Sequence, residues 1–231
     1  MISTLWKFLC LRKNHDYSKC VNRRNKHMEK KRAAVLLADG FEEGESLFIV
    51  DILRRGGIHA ETVSIEGEMV RGGHNIYVKA DTSLTEAEKD SYDMIVIPGG
   101  MPGAANLRDC REVIDWVRKF VQEDKYVAAI CAGPMVLKEA GVHTGRKLTS
   151  YPGAKYRTMF ADADYVDAAE DMEDLVVTDG NLITSRGPAT TFSFAYKLVE
   201  VLGGDAEGLK RQMLYSALKE SIVSEANCTQ K

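Results

Sequence analysis

The chain has little of what staples, spans or extends a polypeptide. Its five cysteines, Cys10, Cys20, Cys110, Cys131 and Cys228, form no CxxC pair. That spacing argues against a zinc site or a disulfide framework and for a reducing, cytoplasmic setting. Only five prolines are present, and no low-complexity run interrupts the sequence, which leaves no candidate for a long linker. No apolar stretch approaches the roughly 18 residues needed to cross a bilayer, so no membrane contact is expected. The net charge is only −3 and no repeat recurs along the chain. A required nucleic-acid partner and a solenoid are both disfavoured.

What remains is an ordinary globular composition: 231 residues, 45% hydrophobic and 28% charged. The first 27 residues stand apart. They hold seven basic residues (Lys7, Arg12, Lys13, Lys19, Arg23, Arg24, Lys26) against Asp16 alone, giving +6, whereas the other 204 residues carry −9. Lys7 breaks the apolar cluster and no small-residue cleavage site follows, so this is no signal peptide. Residues 1–27 read as a basic extension, disordered or upstream of a true start at Met28. Residues 28–231 read as one α/β domain.

From Lys31 onward the pattern alternates. Ala33–Ala38 is a continuous apolar strand, Glu43–Arg55 an amphipathic helix and Ile58–Ile65 an alternating strand. Asp93–Ile97 is a second buried strand, Cys110–Glu123 a helix, Val127–Ile130 a third strand, and a further helix runs to Ala140. Weaker strands fall at Asn75–Lys79, Lys147–Ser150, Tyr165–Asp167, Leu175–Thr178 and Asn181–Thr184. Thr191–Leu202 and Ala206–Ser224 close the chain as helices, and 226–231 as a frayed end. Continuous Val/Ile/Leu strands separated by helices imply a mostly parallel sheet covered on both faces.

The chemistry concentrates at Ile130-Cys131-Ala132-Gly133-Pro134. A strand, a sharp turn and a helix make a nucleophile elbow with cysteine at its tip. Its place over a helix N-terminus predicts a thiol with a depressed pKa. Two further loops converge there if the sheet is parallel. In Asp39-Gly40-Phe41-Glu42-Glu43-Gly44-Glu45, one carboxyl beside the thiol would be driven toward its protonated form. In Pro98-Gly99-Gly100, a glycine can turn a backbone N–H into the cleft; Gly100 and Ala132 are the expected oxyanion donors. No histidine of the five (His15, His27, His59, His74, His143) follows Cys131 closely, so no Cys–His pair is legible. Tyr151, in Ser150-Tyr151-Pro152, offers a phenol instead. Asp51 with Arg54 and Arg55 reads as a solvated, ion-paired helix face.

Four stretches, Ala38 to Glu45, Ile97 to Gly100, Ala128 to Pro134, and Thr184-Ser185-Arg186-Gly187-Pro188, resemble the signatures of the ThiJ/PfpI family, in the branch of the parkinsonism-associated deglycase and its bacterial relatives. The resemblance runs from about Lys31 to Leu218. It implies a flavodoxin-like (class I glutamine amidotransferase-like) three-layer α/β sandwich that forms a homodimer. By position it makes Cys131 the oxidation-sensitive cysteine and Glu45 the buried acid bonded to it. Arg55, Arg186, Gly187 and Pro188, with Tyr151 and His74, fall at the pocket or dimer rim. Many relatives carry histidine where Tyr151 stands, and protease-like members carry it where Ala132 stands. A Cys–His peptidase is therefore disfavoured.

The resemblance implies a glyoxalase or deglycase that needs no glutathione, cofactor or metal and acts on small reactive aldehydes or their glycated adducts. The alternative it leaves open is a redox-sensing protective chaperone that works by oxidation of Cys131 without turnover.

Overall fold

A computed structural model describes residues 30–167 and 175–228, with side chains through 222. The basic extension expected at 1–27 lies outside the described residues, as do the last residues of the expected frayed end. Among the described residues no helix is long and apolar enough to cross a membrane.

The chain runs β1 (Arg32–Leu37), α1 (Glu43–Arg55), β2 (His59–Ser64), a small hairpin of β3 (Met69–Arg71) and β4 (Tyr77–Lys79), then β5 (Thr82–Ser83) and β6 (Met94–Ile97). Next come α2 (Gly103–Asp109), α3 (Arg111–Gln122), β7 (Tyr126–Ile130) and α4 (Pro134–Ala140). Then follow β8 (Lys147–Leu148), α5 (Ala154–Met159), β9 (Asp164–Tyr165), β10 (Val176–Asp179) and β11 (Leu182–Ser185). The chain closes with α6 (Thr191–Val201), α7 (Ala206–Gln212) and α8 (Tyr215–Cys228). Seven strands form one sheet in the order β10-β11-β7-β6-β1-β2-β5. Only the β10–β11 pairing is antiparallel.

The three layers follow from the period-2 alternation of strand side chains. In β1, Ala34 and Leu36 face one apolar cluster, whereas Ala33 and Val35 face the other. Ile95 and Ile97 of β6, and Val127 and Ala129 of β7, join the first cluster. Met94 and Val96, with Ala128 and Ile130, join the second. Helices α2, α3 and α4 cover the first face; α1, α6 and α7 cover the second. The arrangement is the flavodoxin-like sandwich expected, and the central strands are buried on both sides.

The short helices Gly103–Asp109 and Ala154–Met159 and the strand Thr82–Ser83 are not among the expected elements, and two expected elements take another form. The single helix read over Ala206–Ser224 is two, broken at Leu214, whose φ of +61° is left-handed. The break lets both flanking side chains dock: Met213 sulfur accepts from the Tyr196 hydroxyl at 3.5 Å, and the Tyr215 hydroxyl meets Ser193 Oγ at 2.6 Å. The lone strand expected at Asn75–Lys79 is one arm of the β3–β4 hairpin, whose partner is too short to show periodicity.

The first layer depends on α3, whose Val113, Ile114, Trp116, Val117 and Phe120 form one buried stripe. Phe120 is fully enclosed and packs edge-on to Trp116 at 5.7 Å. Phe120→Ala should cost about 3–5 kcal/mol, read as a fall in the urea unfolding midpoint at unchanged slope.

Candidate active site

Parallel strands place their carboxyl ends together, and three loops meet there. Strand β7 ends at Ile130, registered opposite Ser185 of β11, and the Cys131 N–H donates to the Ser185 carbonyl at 3.1 Å. The next residues turn sharply: Gly133 N–H returns to the Ile130 carbonyl at 2.8 Å. Cys131 thereby adopts φ +60°, a left-handed conformation that non-glycine residues take at a cost of about 1–3 kcal/mol. This is the strained elbow the sequence implied.

The loop after β6 closes on it. Gly99 N–H donates to Glu45 Oε2 at 2.7 Å, and Gly99 carbonyl accepts from Glu42 N–H at 3.0 Å, so the second loop is bonded to the first. A Cβ on Gly99 would lie 2.6 Å from Cys131 Cβ, 2.8 Å from Glu45 Oε2 and 2.9 Å from the sulfur. Only glycine lets the thiol and the carboxyl share that space. Gly100 turns with φ +87°, where a Cβ would strike Glu42 N at 2.3 Å. Its N–H and that of Ala132 are the backbone groups near the sulfur that favour the Cys131 thiolate.

Glu45 sits on the first turn of α1 with no solvent exposure. Burial, reinforced by the neighbouring Glu42 charge, raises its pKa to about 7, against the pull of the Gly99 N–H and the thiol. Among the described residues its Oε1 has no hydrogen-bond partner. The depressed thiol pKa expected of Cys131 is not what the enclosure favours. Burial pushes the thiol up, and an ionised Glu45 pushes it further; the two N–H groups oppose them. Helix α4 has only seven residues and its dipole does not outweigh burial. The thiol and carboxyl therefore titrate as a pair that resists carrying two charges, and a protonated Glu45 becomes a donor to the thiolate.

The other expected residues divide. Tyr151 is at the site: its N–H donates to the Cys131 carbonyl at 2.8 Å, and its half-exposed ring lies against Gly187 and, edge-on, Tyr156. Pro188 begins the short turn that follows Gly187. Arg186 is buried rather than exposed: its Nε donates to Thr149 Oγ1 at 3.3 Å, and its terminal nitrogens meet no hydrogen-bond partner among the described residues. Arg55 lies away from the thiol, ten residues and about 15 Å along α1 from Glu45, paired with Asp51 at 2.8 Å on the solvated face.

His74 takes part through Glu43. Glu43 Oε1 accepts the His74 N–H at 2.6 Å and the Ile76 N–H at 3.5 Å, and its Oε2 meets the imidazole Nδ1 at 2.8 Å. These bonds hold the carboxyl of Glu43 below the usual range despite burial, and the hydrogen bond to Glu43, with the charges of Glu42 and Glu43, raises the His74 imidazole. Of the three crowded acids, Glu45 faces the thiol, Glu43 clasps the hairpin turn, and Glu42 stands half-buried between them. His143 is buried against Asp162 at 3.0 Å. Among the described residues no histidine bonds Cys131. The part of Gly99 and the clasp of Glu43 were missed from sequence; the glycine pair after a buried strand was the available signal for the first.

Glu45 makes stability pH-dependent. Its folded pKa of about 7 exceeds the ordinary 4.5, so the folded state holds a proton the unfolded chain has released. Stability from this group is complete below about pH 4.5 and falls as pH rises to about 7. In urea titrations across that window, Glu45→Gln should flatten the decline; an unchanged slope would show that the carboxyl is not protonated at neutrality.

The sequence profile of the DJ-1/PfpI family matches residues 31–201. The chain is 41% identical over 175 residues to the protein dj-1beta of Drosophila melanogaster, covering 75% of this chain and 90% of that one. It is 34% identical over 172 residues to a deglycase of Pyrococcus abyssi, covering 74% of this chain and 99% of that one. The crystal structure of Drosophila melanogaster DJ-1beta superposes with a TM-score of 0.75 at 37% identity, over 80% of this chain and 98% of that one. With an elbow cysteine, a buried acid and a glycine loop in the same sandwich, the chain belongs to the DJ-1/PfpI family.

Proposed function

We propose that this chain is a cysteine-dependent glyoxalase or deglycase that consumes methylglyoxal, glyoxal and their early adducts without glutathione or another cofactor. The observation that carries this reading is the buried Glu45 carboxyl set against Cys131 beneath the Gly100 and Ala132 N–H groups. A deglycase among the relatives points the same way.

The thiolate of Cys131 adds to the aldehyde carbon, and the alkoxide formed is held by the two N–H groups. Proton transfer from Glu45 gives a hemithioacetal. Glu45, now a carboxylate, takes the proton from the former aldehyde carbon and returns it to the adjacent one, while the hydroxyl proton of the first carbon passes to the oxygen of the second, so the first carbon is oxidised and the second reduced. The resulting thioester of a 2-hydroxy acid is hydrolysed by water, releasing lactate or glycolate and the free thiol. A carboxyl with a pKa near 7 is matched to moving that proton in both directions at neutral pH. Early adducts dissociate to free aldehyde, so removal of the aldehyde also reverses glycation without a second site. A reducing, cytoplasmic setting would keep Cys131 available.

The assembly proposed is a homodimer. Leu47 and Phe48 are exposed at 40% and 45% on α1, and Phe48 packs on Phe192 of α6 at 4.7 Å, forming an apolar face that a second copy would cover. Light scattering of the full chain should give twice the 25.7 kDa chain mass; a single-chain mass would rule the dimer out.

The activity is tested by incubating the full chain with methylglyoxal in amine-free buffer and following lactate. Cys131→Ser and Glu45→Gln should each lose at least about 100-fold in kcat. Lactate formation no faster than buffer alone, or equal in Cys131→Ser, would sink the enzymatic reading and leave oxidation of Cys131 as the protein's chemistry.

A further inference from the structure

Glu43 and His74 clasp the hairpin turn, but with Glu42 they also form a donor set that the chemistry at Cys131 does not use. A nitrogen of His74 and one oxygen from each of Glu42 and Glu43 lie within 4.8 Å of one another. His74 Nδ1 stands 2.8 Å from Glu43 Oε2 and 3.8 Å from Glu42 Oε2. A tetrahedral ion with N and O ligands at about 2.0–2.2 Å needs ligand atoms about 3.3–3.6 Å apart. The two separations from His74 bracket that edge, and the two carboxylate oxygens lie within 4.8 Å of each other, so small side-chain shifts would seat an ion.

The set is built rather than scattered. Glu43 is nearly enclosed and its Oε1 is tied to the His74 and Ile76 N–H groups, which leaves Oε2 aimed at the imidazole. Gly72 permits this approach: a Cβ there would lie 2.2 Å from Glu43 Oε1. Glu42, four-fifths covered, accepts no hydrogen bond from any described residue and has only the imidazole within reach. Among the described residues no lysine or arginine pairs with Glu42 or Glu43. Two acids thus share one imidazole, and their excess negative charge is partly buried.

We propose that Glu42, Glu43 and His74 bind one divalent transition ion of the zinc class, with the fourth position open to water. Imidazole nitrogen with two carboxylates suits zinc rather than the softer ions that thiolates select. Coordination replaces the contact between Nδ1 and Glu43, and any proton on Nδ1 leaves to solvent. The site is separate from the thiol: none of its ligands is Cys131 or Glu45.

The full chain, stripped with chelator, is titrated with Zn2+ against a chromophoric competitor, and with Co2+ for its visible spectrum. One ion per chain is expected, with cobalt d–d bands and no thiolate-to-cobalt charge transfer, and Cys131→Ala should bind unchanged. His74→Ala and Glu42→Gln should each weaken binding at least about 10-fold. The thermal midpoints of the ion-free proteins separate loss of the site from loss of the fold, and Glu42→Gln leaves the hairpin clasp intact. No uptake by the parent chain, uptake unaltered in either variant, a thiolate charge-transfer band, or loss in Cys131→Ala would each overturn the assignment.

Discussion

The site depends on one buried carboxyl. Glu45 has no contact with solvent, and among the described residues no cation pairs with it and its backbone donor is the N–H of Gly99. An ionised carboxylate so enclosed is costly, and its raised pKa expresses that cost. The enclosure ties three loops together: α1 supplies the acid, the loop after β6 supplies the N–H, and the β7 elbow supplies the sulfur. Burial of this group therefore couples the packing of the sandwich to the protonation of its cysteine.

That coupling changes what the elbow does. A cysteine at a strand-to-helix turn suggests a thiol made acidic by its helix, yet α4 is two turns long and the sulfur is largely covered. The competing effects are local. Burial holds the proton on, the Gly100 and Ala132 N–H groups draw it off, and the state of Glu45 decides between them. Reactivity in this arrangement belongs to the pair.

Much of this was legible before any coordinates. The runs AAVLL, MIVI and VAAI are apolar throughout because their strands are covered on both faces, so a mostly parallel sheet between two helical layers followed from pattern. Glu43–Arg55 was bounded correctly because charge crowds its first turn and Gly56-Gly57 follows its end. Cys131 stood out because small residues flank it where a strand stops. What stayed hidden depends on contacts between distant segments. The break at Leu214 exists so that Met213 and Tyr215 can both dock, and nothing in the local pattern of Ala206–Ser224 records it. The Glu43–His74 clasp joins residues 31 apart in sequence. Arg186 reads as a surface charge until the sheet places it beside Thr149.

The close fit at Gly99 and Gly100 has a consequence for how such a protein can change. A side chain at either position would meet the thiol, the acid or the backbone of the neighbouring loop, so the reacting centre cannot be enlarged, recharged or shifted by substitution there. Variation is left to more exposed positions such as the ring of Tyr151 and the turn carrying His74. New substrate preferences would therefore be written at those positions, around a reacting centre that stays the same.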